Sequence, residues 1–533
     1  MKKRLISLVA TVVAASMMMV GCGSSASSGT SAEPAADTTA TTAGTETTAE
    51  TASVAAETTS GAKDTLVVAL QGEPSSLDAQ YADDTNMFWV TWNINEGLVV
   101  FNGETLEVEP LLATAWENVD DTTWKFTIRE GVKFHDGTDM TAEDVAYSIN
   151  RMIDPDFGSQ FASDFSTITG AEVTGDYEVT VTTDGPDPIL LKRMTKMYIV
   201  SKATTEGKST EELTTISNGT GPYKLVSWKQ GSQIDLTANT DYWGDAPSIP
   251  NVTFRFIEEA STRVSAIQTG EVDIAVNMLP EYIDQLPQVV SGPGMENYFM
   301  RLNATSGIMS SPELRMAVNY AVDKEAIADA LFLGYATPEP GQIAQEGTTG
   351  YSSAVEAYPF DQEKAKELIA ASGYNGEEIQ LISEKTRWTK DGEVTEAVAT
   401  MLQEVGLNVT VKFLSWSEWL DMLFDKSQTP DMMFSSTSNE FQDVDRIFSS
   451  SVYSAGTQSA MADADVDALI EAGQKEMDEA KRQEIYDELN TMLYNNPPKL
   501  YLVTVDELHG AAENVDWALR KDCRVYLKTV SFK

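Results

Sequence analysis

The sequence predicts an α/β protein with more than one domain. Runs typical of strands alternate with runs typical of helices along most of the chain, which favours layered α/β units. The 533 residues exceed the usual length of one domain, and a chain of this length suggests about two to four. With 42% hydrophobic residues, the chain has enough apolar surface for a large core.

The N-terminal segment has the pattern of a secretory signal. Lys2, Lys3 and Arg4 precede an apolar run over residues 5–20, which is shorter than the roughly 20 residues that a membrane-spanning helix needs. The segment ends in "MVGC", which resembles the lipobox of bacterial lipoprotein signals. This resemblance implies cleavage before Cys22 and acylation of its thiol. An uncleaved membrane anchor is the alternative, and in either case we expect the rest of the chain to lie outside the cytoplasm.

Residues 23–62 are predicted to form a flexible tether. They are mainly Ser, Thr, Ala, Gly and Glu, and they include no aromatic residue, Lys or Arg. Such a segment cannot bury enough apolar surface to fold. About forty such residues have a root-mean-square reach of about 35 Å. A lipid on Cys22 would therefore hold a folded body close to a membrane, provided that more than one acyl chain is attached.

The folded body is predicted to begin with a buried strand and a half-buried strand. Residues 66–70 form a short apolar run that "GEPSSLD" ends. Residues 124–128 alternate large apolar with polar side chains, which is the pattern of a strand with one buried face. Gly131 then supplies a turn, and we expect a return strand at residues 132–134.

The stretch "HDGTDMTAEDV" combines a histidine with several acids. His135 and His509 are the only histidines in the chain, and Asp136 follows the first of them. An acid/base pair is one interpretation. A turn is the plainer one, with His135 as a packing residue and Asp136 accepting hydrogen bonds from the local backbone. Thr141 and Asp144 match a capping box, so a helix is expected directly after Thr141.

Further elements follow from hydrophobic spacing and from residues that start and stop helices. Two strands are expected within residues 222–244, after a glycine-rich loop, and a helix, a turn and a strand are expected over 261–276. One helix is expected to begin at Ser311 and Pro312, and another to end at Gly373. A helix, a strand and a second helix are expected over 395–423.

Composition excludes several classes of function. With 82 acidic and 37 basic residues, the formal net charge is −45, which argues against nucleic acid and against broad adhesion to anionic lipid. Cys22 and Cys523 are the only cysteines, so we expect neither a disulfide framework nor a metal site built on cysteine. The chain has only two histidines, His135 and His509, which argues against nickel as its ligand. The motifs G-x-S-x-G and H-E-x-x-H are not found in the sequence, and we expect neither an enzyme nor a cofactor.

A series of segments in a fixed order then points to one family. The segments are GEPSSLD, LATAWENVDDTTWKFTIREGVKFHDGTDMTAEDVAYSI, GTGPYKLV, DYWGDAPSIPNVTFRFI, IQTGEVDIA, LRMAVNYAVDKEAI and FDQEKAKELIAASGY. Together they resemble the bacterial extracellular solute-binding proteins of family 5. These are the peptide, dipeptide, oligopeptide and nickel-type receptors of ABC importers. The resemblance covers about residues 64–514.

The resemblance implies a two-lobed α/β periplasmic-binding-protein fold of the cluster C type. Two crossing strands would join the lobes, ligand would lie in a hinge-closing cleft, and lobe I would carry an extra subdomain. The expected limits are 1–21 for the signal peptide, 22–63 for the lipidated cysteine and tether, 64–98, 220–300 and 500–533 for lobe I, 99–219 for the extra subdomain, and 301–499 for lobe II.

The resemblance also implies a ligand anchor in lobe II. Peptide-binding relatives hold the ligand's ammonium with a carboxylate in a segment like W-x-x-D-Y-x-D-P. The stretch "TSNEFQDVDRIF" places Glu440, Phe441 and Asp443 there. Thr437 and Val444 stand where the family has tryptophan and proline, and Glu440 is one methylene longer than the family's aspartate. A surface acid is the alternative interpretation of Glu440.

A second anchor is implied for the ligand's carboxylate. Dipeptide receptors hold this group with an arginine, and Arg387 in "SEKTRWTK" lies near that point. Arginine suits the role because its guanidinium binds a carboxylate through two parallel hydrogen bonds. Trp388 is expected to wall the cleft. A solvated loop cation is the alternative interpretation of Arg387.

Two aromatic stretches complete the expected site. In lobe I, Asn86, Met87 and Trp89, with Phe88 between them, are candidates for lining the cleft. A cluster of this composition is also typical of a core. Trp416 in "FLSWSEWL" is predicted to pack in the core.

These features predict a receptor for ABC import. We expect it to capture di- or oligopeptides outside the cytoplasmic membrane by closure of the lobes and to deliver them to the permease subunits. The alternative is the same role for an oligosaccharide, opine, metal chelate or heme. The protein is expected to be a monomer with a palmitate-type lipid anchor on the outer face of the cytoplasmic membrane, in the periplasm if the cell has an outer membrane.

Overall fold

The computed structural model describes residues 63–533 of the chain. The predicted signal peptide, Cys22 and the tether up to residue 62 lie outside the described residues. In the described part, no helix is both long enough and apolar enough to cross a lipid bilayer.

Strands and helices alternate along the body. The strands are β1 (Thr65–Leu70), β2 (Val99–Phe101), β3 (Val108–Pro110), β4 (Ala113–Asp120), β5 (Thr123–Ile128), β6 (Ile168–Gly175), β7 (Glu178–Thr183), β8 (Tyr223–Lys229), β9 (Gln233–Ala238), β10 (Asn251–Phe256), β11 (Ile274–Ala275), β12 (Gln288–Leu302), β13 (Ala336–Pro338), β14 (Glu378–Ser383), β15 (Asn408–Phe413), β16 (Met432–Ser438), β17 (Lys499–Ala511), β18 (Val515–Asp516) and β19 (Ser531–Phe532). The α-helices are α1 (Thr85–Thr91), α2 (Ala142–Ile153), α3 (Leu190–Met194), α4 (Lys202–Thr205), α5 (Thr210–Leu213), α6 (Ala260–Gln268), α7 (Pro312–Ala321), α8 (Lys324–Phe332), α9 (Gln362–Ala371), α10 (Asp391–Glu404), α11 (Trp416–Phe424), α12 (Asp445–Ser451), α13 (Ala464–Gly473) and α14 (Glu479–Asn495).

One large mixed sheet extends through the body. Its strand order is β15-β14-β16-β12-β17-β11-β1-β10-β9-β8, and β13 pairs with β17 beside this path. β1 is parallel to β10 and β11, and β14 is parallel to β15 and β16. The two parallel groups, each combined with helices, are the α/β units that the sequence predicts.

The strands β12 and β17 connect these two groups. β12 has 15 residues and β17 has 13, and they pair with each other over most of their length. The last part of β12 also pairs with β16, whereas β17 pairs with β11 near its end. The register shifts between Gly292 and Glu296, and a Cβ at Gly294 would collide with the carbonyl oxygen of Val505. The crossing is therefore built on a bulge that requires glycine.

A separate antiparallel sheet has the order β4-β5-β7-β6. It lies within residues 99–219, and α2 packs on it. The Asn150 side chain of α2 donates to the Ala171 carbonyl at 2.8 Å and accepts from the Ala171 N–H at 3.0 Å. Phe126, Val145 and Ile149 are fully buried between sheet and helix. Two-stranded sheets, β2–β3 and β18–β19, complete the strand pairing that the structure describes.

Most of the predicted elements are confirmed. Residues 66–70 lie in β1 inside the large sheet, and β5 buries the three apolar residues of its alternating pattern. α2 begins after Thr141, whose N–H and hydroxyl donate to the Asp144 carboxylate at 3.0 and 2.8 Å. Also as predicted are the β8–β9 hairpin, α6 with β11, α7 capped by Ser311, α9 followed by Gly373, and α10, β15 and α11 in succession.

Two local predictions are wrong. Residues 132–134, all described, form no strand against β5, because both edges of β5 are already paired with β4 and β7. The chain there makes an isolated bridge between Lys133 and Asp139. Trp416 is 38% exposed rather than in the core. Trp419, almost one turn further along α11, takes the core position, and the two rings stack with centroids 4.9 Å apart.

The predicted turn at His135 and Asp136 is confirmed. Asp136 accepts hydrogen bonds from the N–H and the hydroxyl of Thr138 at 2.9 and 2.6 Å. Burial lowers the pKa of His135 to about 4, so its ring is neutral near pH 7. Its Nε2 lies 3.0 Å from the carbonyl oxygen of Gly221, to which the neutral ring donates. The histidine therefore ties the turn to the loop before β8.

Glu339 is a carboxylate buried beside β17. It accepts a hydrogen bond from the hydroxyl of Thr504 and interacts with the buried amines of Lys324 and Lys499. Burial outweighs these favourable interactions and raises the pKa of Glu339 to about 8.

We expect Glu339→Gln to change how the free energy of unfolding depends on pH. The folded chain keeps a proton on Glu339 that the unfolded chain releases above its ordinary pKa of 4.5. The free energy of unfolding contributed by this group therefore falls as the pH rises from about 5.5 to about 7.5, and the variant should lack this decrease. Urea denaturation at both pH values measures it. Glu363→Gln, at an exposed position of α9, is the control, and identical pH dependence in all three proteins would contradict the prediction.

Candidate functional site

Three cations and three carboxylates meet where the segment after β7 faces the segment after β16. The cations are Lys192, Arg193 and Lys196, in and just after α3, and the carboxylates are Glu440, Asp443 and Asp445, after β16 and at the start of α12. α3 lies in the predicted extra subdomain, whereas the acids lie in predicted lobe II. Because most of these groups are buried, each charge needs a partner of opposite sign.

Glu440 belongs to a ring of four charges. Its carboxylate lies 2.5 Å from the Lys196 amine and 4.0 Å from the Arg446 guanidinium, and Asp164 lies 3.3 Å from both cations. Burial disfavours the ionised form of Glu440, but Lys196 and Arg446 outweigh burial and lower its pKa to about 2. Burial also opposes the charge on Lys196, and the surrounding carboxylates overcome this and raise the pKa of Lys196. Both partners are therefore charged.

Aromatic rings surround the amine of Lys196. Its Nζ lies 4.3 Å from the ring centroid of Phe161, 5.7 Å from that of Phe88 and 6.0 Å from that of Phe441. The face of an aromatic ring attracts a cation at these distances. The ammonium is thus held by two carboxylates and three rings.

Asp443 is fully engaged by buried cations. Arg482 binds its two oxygens at 2.7 and 2.9 Å, and the Lys192 amine lies 3.1 Å away. Lys192 also donates to the hydroxyl of Thr349 at 2.6 Å. The Asp443 side chain is buried, so its observed role is to join α3, α14 and the segment after β16.

Arg387 and Trp388 form a second cluster, with Trp416. The Arg387 guanidinium lies 5.4 Å from the Trp416 ring centroid and 5.8 Å from that of Trp388. The Glu384 carboxylate fixes the loop, because it accepts the backbone N–H groups of Thr386 and Arg387, both at 2.6 Å. The Arg387 side chain is exposed, and within residues 63–533 no carboxylate oxygen lies within 4.0 Å of its nitrogen atoms. Its guanidinium is therefore without an internal carboxylate partner, on a loop that Glu384 holds through two backbone hydrogen bonds.

Carboxylates of the crossing strands lie near this second cluster. Glu296 follows the bulge of β12, accepts a hydrogen bond from the Ser436 hydroxyl at 2.9 Å, and interacts with Arg387 at longer range. Burial raises the pKa of Glu296. Burial, together with Glu296 and Asp506, raises the pKa of Glu507 to about 7. Glu296 and Glu507 of the crossing strands therefore hold their protons more strongly than ordinary carboxyl groups.

The lobe I candidates divide into buried and accessible residues. Met87 and Trp89 are buried in two different hydrophobic clusters, and their side chains are part of the core in this conformation. Phe88 is half-buried beside Lys196. Asn86 is half-buried, and its side-chain oxygen has no hydrogen-bond partner among residues 63–533. Ligand contact by any of these residues stays a prediction.

The eight predicted site residues therefore fall into separate groups. Glu440, Phe441 and Asp443 lie together at the contact with α3, Arg387 and Trp388 lie together beside α11, and Asn86 lies with Met87 and Trp89 in α1. Sequence reasoning missed Lys196, Arg446, Asp164 and Glu296. One signal was available. "KRMTK" places three basic residues within five positions of a strongly acidic chain.

Comparison with known proteins shows the family and the fold of the chain. The family model of the bacterial extracellular solute-binding proteins, family 5 Middle, matches residues 107–459. The glutathione-binding protein GsiB of Shigella flexneri serotype 5b (strain 8401) is 29% identical over 362 residues, which are 66% of this chain and 69% of that protein. The substrate-binding protein CtaP of Listeria monocytogenes has a TM-score of 0.80 at 22% identity, over 88% of this chain and 99% of the other. DppA from Helicobacter pylori, solved in complex with the peptide STSA, has a TM-score of 0.71 at 24% identity, over 88% and 98%.

The fold is that of a two-lobed periplasmic binding protein of the cluster C type, as predicted. The chain belongs to the bacterial extracellular solute-binding proteins of family 5. It is therefore a solute-binding protein of the kind that serves ABC importers, and its family points to transport rather than catalysis. Members of this family work outside the cytoplasm or in the periplasm.

We expect Arg482→Met to destabilise the protein strongly. The change leaves the buried Asp443 carboxylate with Lys192 as its remaining cation, and breaking a buried pair on one side costs about 3–5 kcal/mol. Urea denaturation measures the loss. Lys481→Met, at the exposed neighbouring position of α14, is the matched control. A loss no larger than that of the control would show that Asp443 does not depend on Arg482.

Proposed function

We propose that this chain is the substrate-binding lipoprotein of an ABC importer for peptides. Membership of the family supports the receptor role. Two proteins that it resembles carry peptidic ligands in their names or titles. GsiB is named for glutathione, and DppA is described with the peptide STSA. The ligand of this chain is therefore proposed to be a di- or oligopeptide.

The single observation that carries the peptide proposal is the free guanidinium of Arg387. It stands on a loop that Glu384 fixes, it lies 5.4 Å from the Trp416 ring centroid, and its nitrogen atoms have no carboxylate within 4.0 Å in the described part of the chain. A guanidinium in this state suits the terminal carboxylate of a peptide. Trp388 and Asn86 are proposed to contribute an apolar wall and a polar contact.

The proposed mechanism is closure of the two lobes on the ligand. β12 and β17 are the connections that would bend, at the bulge around Gly294. The ion pairs between α3 and the segment after β16 would form as the lobes approach. A ligand that bridges the lobes stabilises the closed state in proportion to its extra affinity for that state. The permease would then recognise the closed, loaded form.

A non-peptide solute is the second candidate, and one observation favours it. Trp416 presents an indole that is 38% exposed and is stacked on Trp419. Such a platform suits a sugar ring, and the Arg387 guanidinium beside it equally suits an acidic opine. Under this proposal the receptor role is unchanged and the ligand lacks a peptide backbone.

The remaining parts of the proposal concern location and assembly. We propose that the mature chain is a monomer, that a lipid on Cys22 holds it on the outer face of the cytoplasmic membrane, and that its protein partners are the permease subunits. The lipobox and the polar tether support this arrangement.

We expect Arg387→Ala to weaken peptide binding by tenfold or more. The variant removes the guanidinium that would pair with the ligand's carboxylate, and a tenfold change in Kd corresponds to about 1.4 kcal/mol. Titration calorimetry against a set of di- to tetrapeptides measures it. Lys385→Ala is the matched control, because Lys385 lies in the same loop and its amine faces Phe413 at 4.3 Å. Equal affinity of wild type and Arg387→Ala would contradict the carboxylate anchor.

We also expect Cys22→Ser to abolish lipidation. A clickable palmitate analogue fed to expressing cells should label the wild-type protein and leave the variant unlabelled, since acylation would take place on the Cys22 thiol. Cys523→Ser, which removes the other cysteine, should keep the label. Labelling of Cys22→Ser at the wild-type level would contradict the lipoprotein proposal.

A further inference from the structure

Lys196 fills a site that has the composition of an ammonium-binding site. Its amine lies 2.5 Å from Glu440 and 3.3 Å from Asp164, and the Phe161 ring lies 4.3 Å from it. Carboxylates combined with aromatic faces are the groups that hold ammonium ions in proteins. The amine and the Glu440 carboxylate come from opposite sides of the contact between α3 and the segment after β16.

We propose that Lys196 is the built-in occupant of this ammonium site, so that the captured ligand presents no cationic amino terminus to Glu440. This inference deepens the proposed function and rests on it for the peptidic nature of the ligand. It assigns Lys196 as a residue that determines specificity. The substrate class is then a peptide with an anionic end for Arg387 and an amino end that is blocked, uncharged or directed elsewhere.

The charge balance around Glu440 supports this inference. Lys196 and Arg446 carry two positive charges, and Glu440 and Asp164 carry two negative charges, so the ring is neutral. A further ammonium group would have no unpaired carboxylate inside this ring. Asp83 interacts with the ring at longer range, but its side chain is exposed.

Displacement of Lys196 by a ligand amine is also unfavourable. The Lys196 side chain is only 4% exposed, and its amine lies 4.3 Å from the ring centroid of Phe161 and 5.7 Å from that of Phe88. Pushing it from Glu440 would leave a buried, partly unpaired cation. The tethered amine also competes at a high effective concentration, which a free ligand has to exceed.

The first test vacates the site. Lys196→Ala removes three methylenes and the amine, which together have the size of n-propylammonium. We expect n-propylammonium to bind this variant at least tenfold more tightly than wild type, measured by titration calorimetry and by the shift in Tm, and n-propanol to have no such effect. Adding Glu440→Gln to Lys196→Ala should abolish the binding. A folded Lys196→Ala variant that does not bind n-propylammonium would overturn the proposal.

Lys192→Ala is the matched control for this test. Lys192 also pairs across the same contact, but its partner Asp443 keeps both hydrogen bonds from Arg482 when the lysine is removed. This variant should therefore not gain affinity for n-propylammonium. An equal gain in Lys192→Ala would show a general effect of lost cations and would count against a specific ammonium site at Glu440.

The second test uses the wild-type protein, so it does not depend on whether a variant folds. A peptide with a free amino terminus and its N-acetylated twin are compared by titration calorimetry. Equal affinities, within about twofold, support the proposal. A tenfold preference for the free amine that Glu440→Gln removes would overturn it and leave the peptide-binding function intact. If neither peptide binds, the peptide ligand fails, and n-propylammonium binding to Lys196→Ala decides the role of Lys196.

Discussion

Pairing of buried charges between α3 and the segment after β16 is the interaction on which the contact between the two sides depends. The chain has 82 acidic and 37 basic residues, so cations are scarce. A carboxylate buried without one costs several kcal/mol. Glu440, Asp443 and Asp445 each meet a cation from residues 192–196. Because the cations must match three acids at once, the contact is specific in register as well as favourable in charge.

The crossing strands β12 and β17 connect this contact to the Arg387 cluster through the large sheet. Glu296 follows the bulge in β12 and is tied through its carboxylate to Ser436 of β16, which leads directly into the segment that carries Glu440. β16 also pairs with β14, and the loop after β14 carries Arg387. Gly294 allows the close approach of β17 that holds this crossing together.

Local patterns in the sequence were sufficient to predict most helices and strands and to identify the family. The cap at Thr141 and Asp144, the alternation in β5 and the helix start at Ser311 each depend on residues a few positions apart.

The predictions that failed depend on partners far along the chain. Residues 132–134 form no strand because β7, about fifty residues later, already occupies the edge of β5. α11 has two tryptophans of equal apolarity, and packing against Ile382 and Met433 selects Trp419 for the core. The Lys196–Glu440 pair joins residues 244 positions apart, and no local pattern encodes it.

The state of Arg387 is informative because of the composition of the chain. The chain has more than two acidic residues for each basic one, so a shortage of carboxylates does not explain why the Arg387 guanidinium lacks one. Here three neighbouring acids are engaged by other groups, and one of them, Asp391, accepts the backbone N–H of Trp388 at 2.9 Å. Glu384 accepts two backbone N–H groups of the same loop, and Glu296 accepts the hydroxyl of Ser436. The guanidinium is therefore kept free of internal carboxylates, and it lies 5.4 Å from the Trp416 ring centroid. A guanidinium without an internal carboxylate supports the proposal that an anion from outside, the anionic end of the ligand, binds at Arg387.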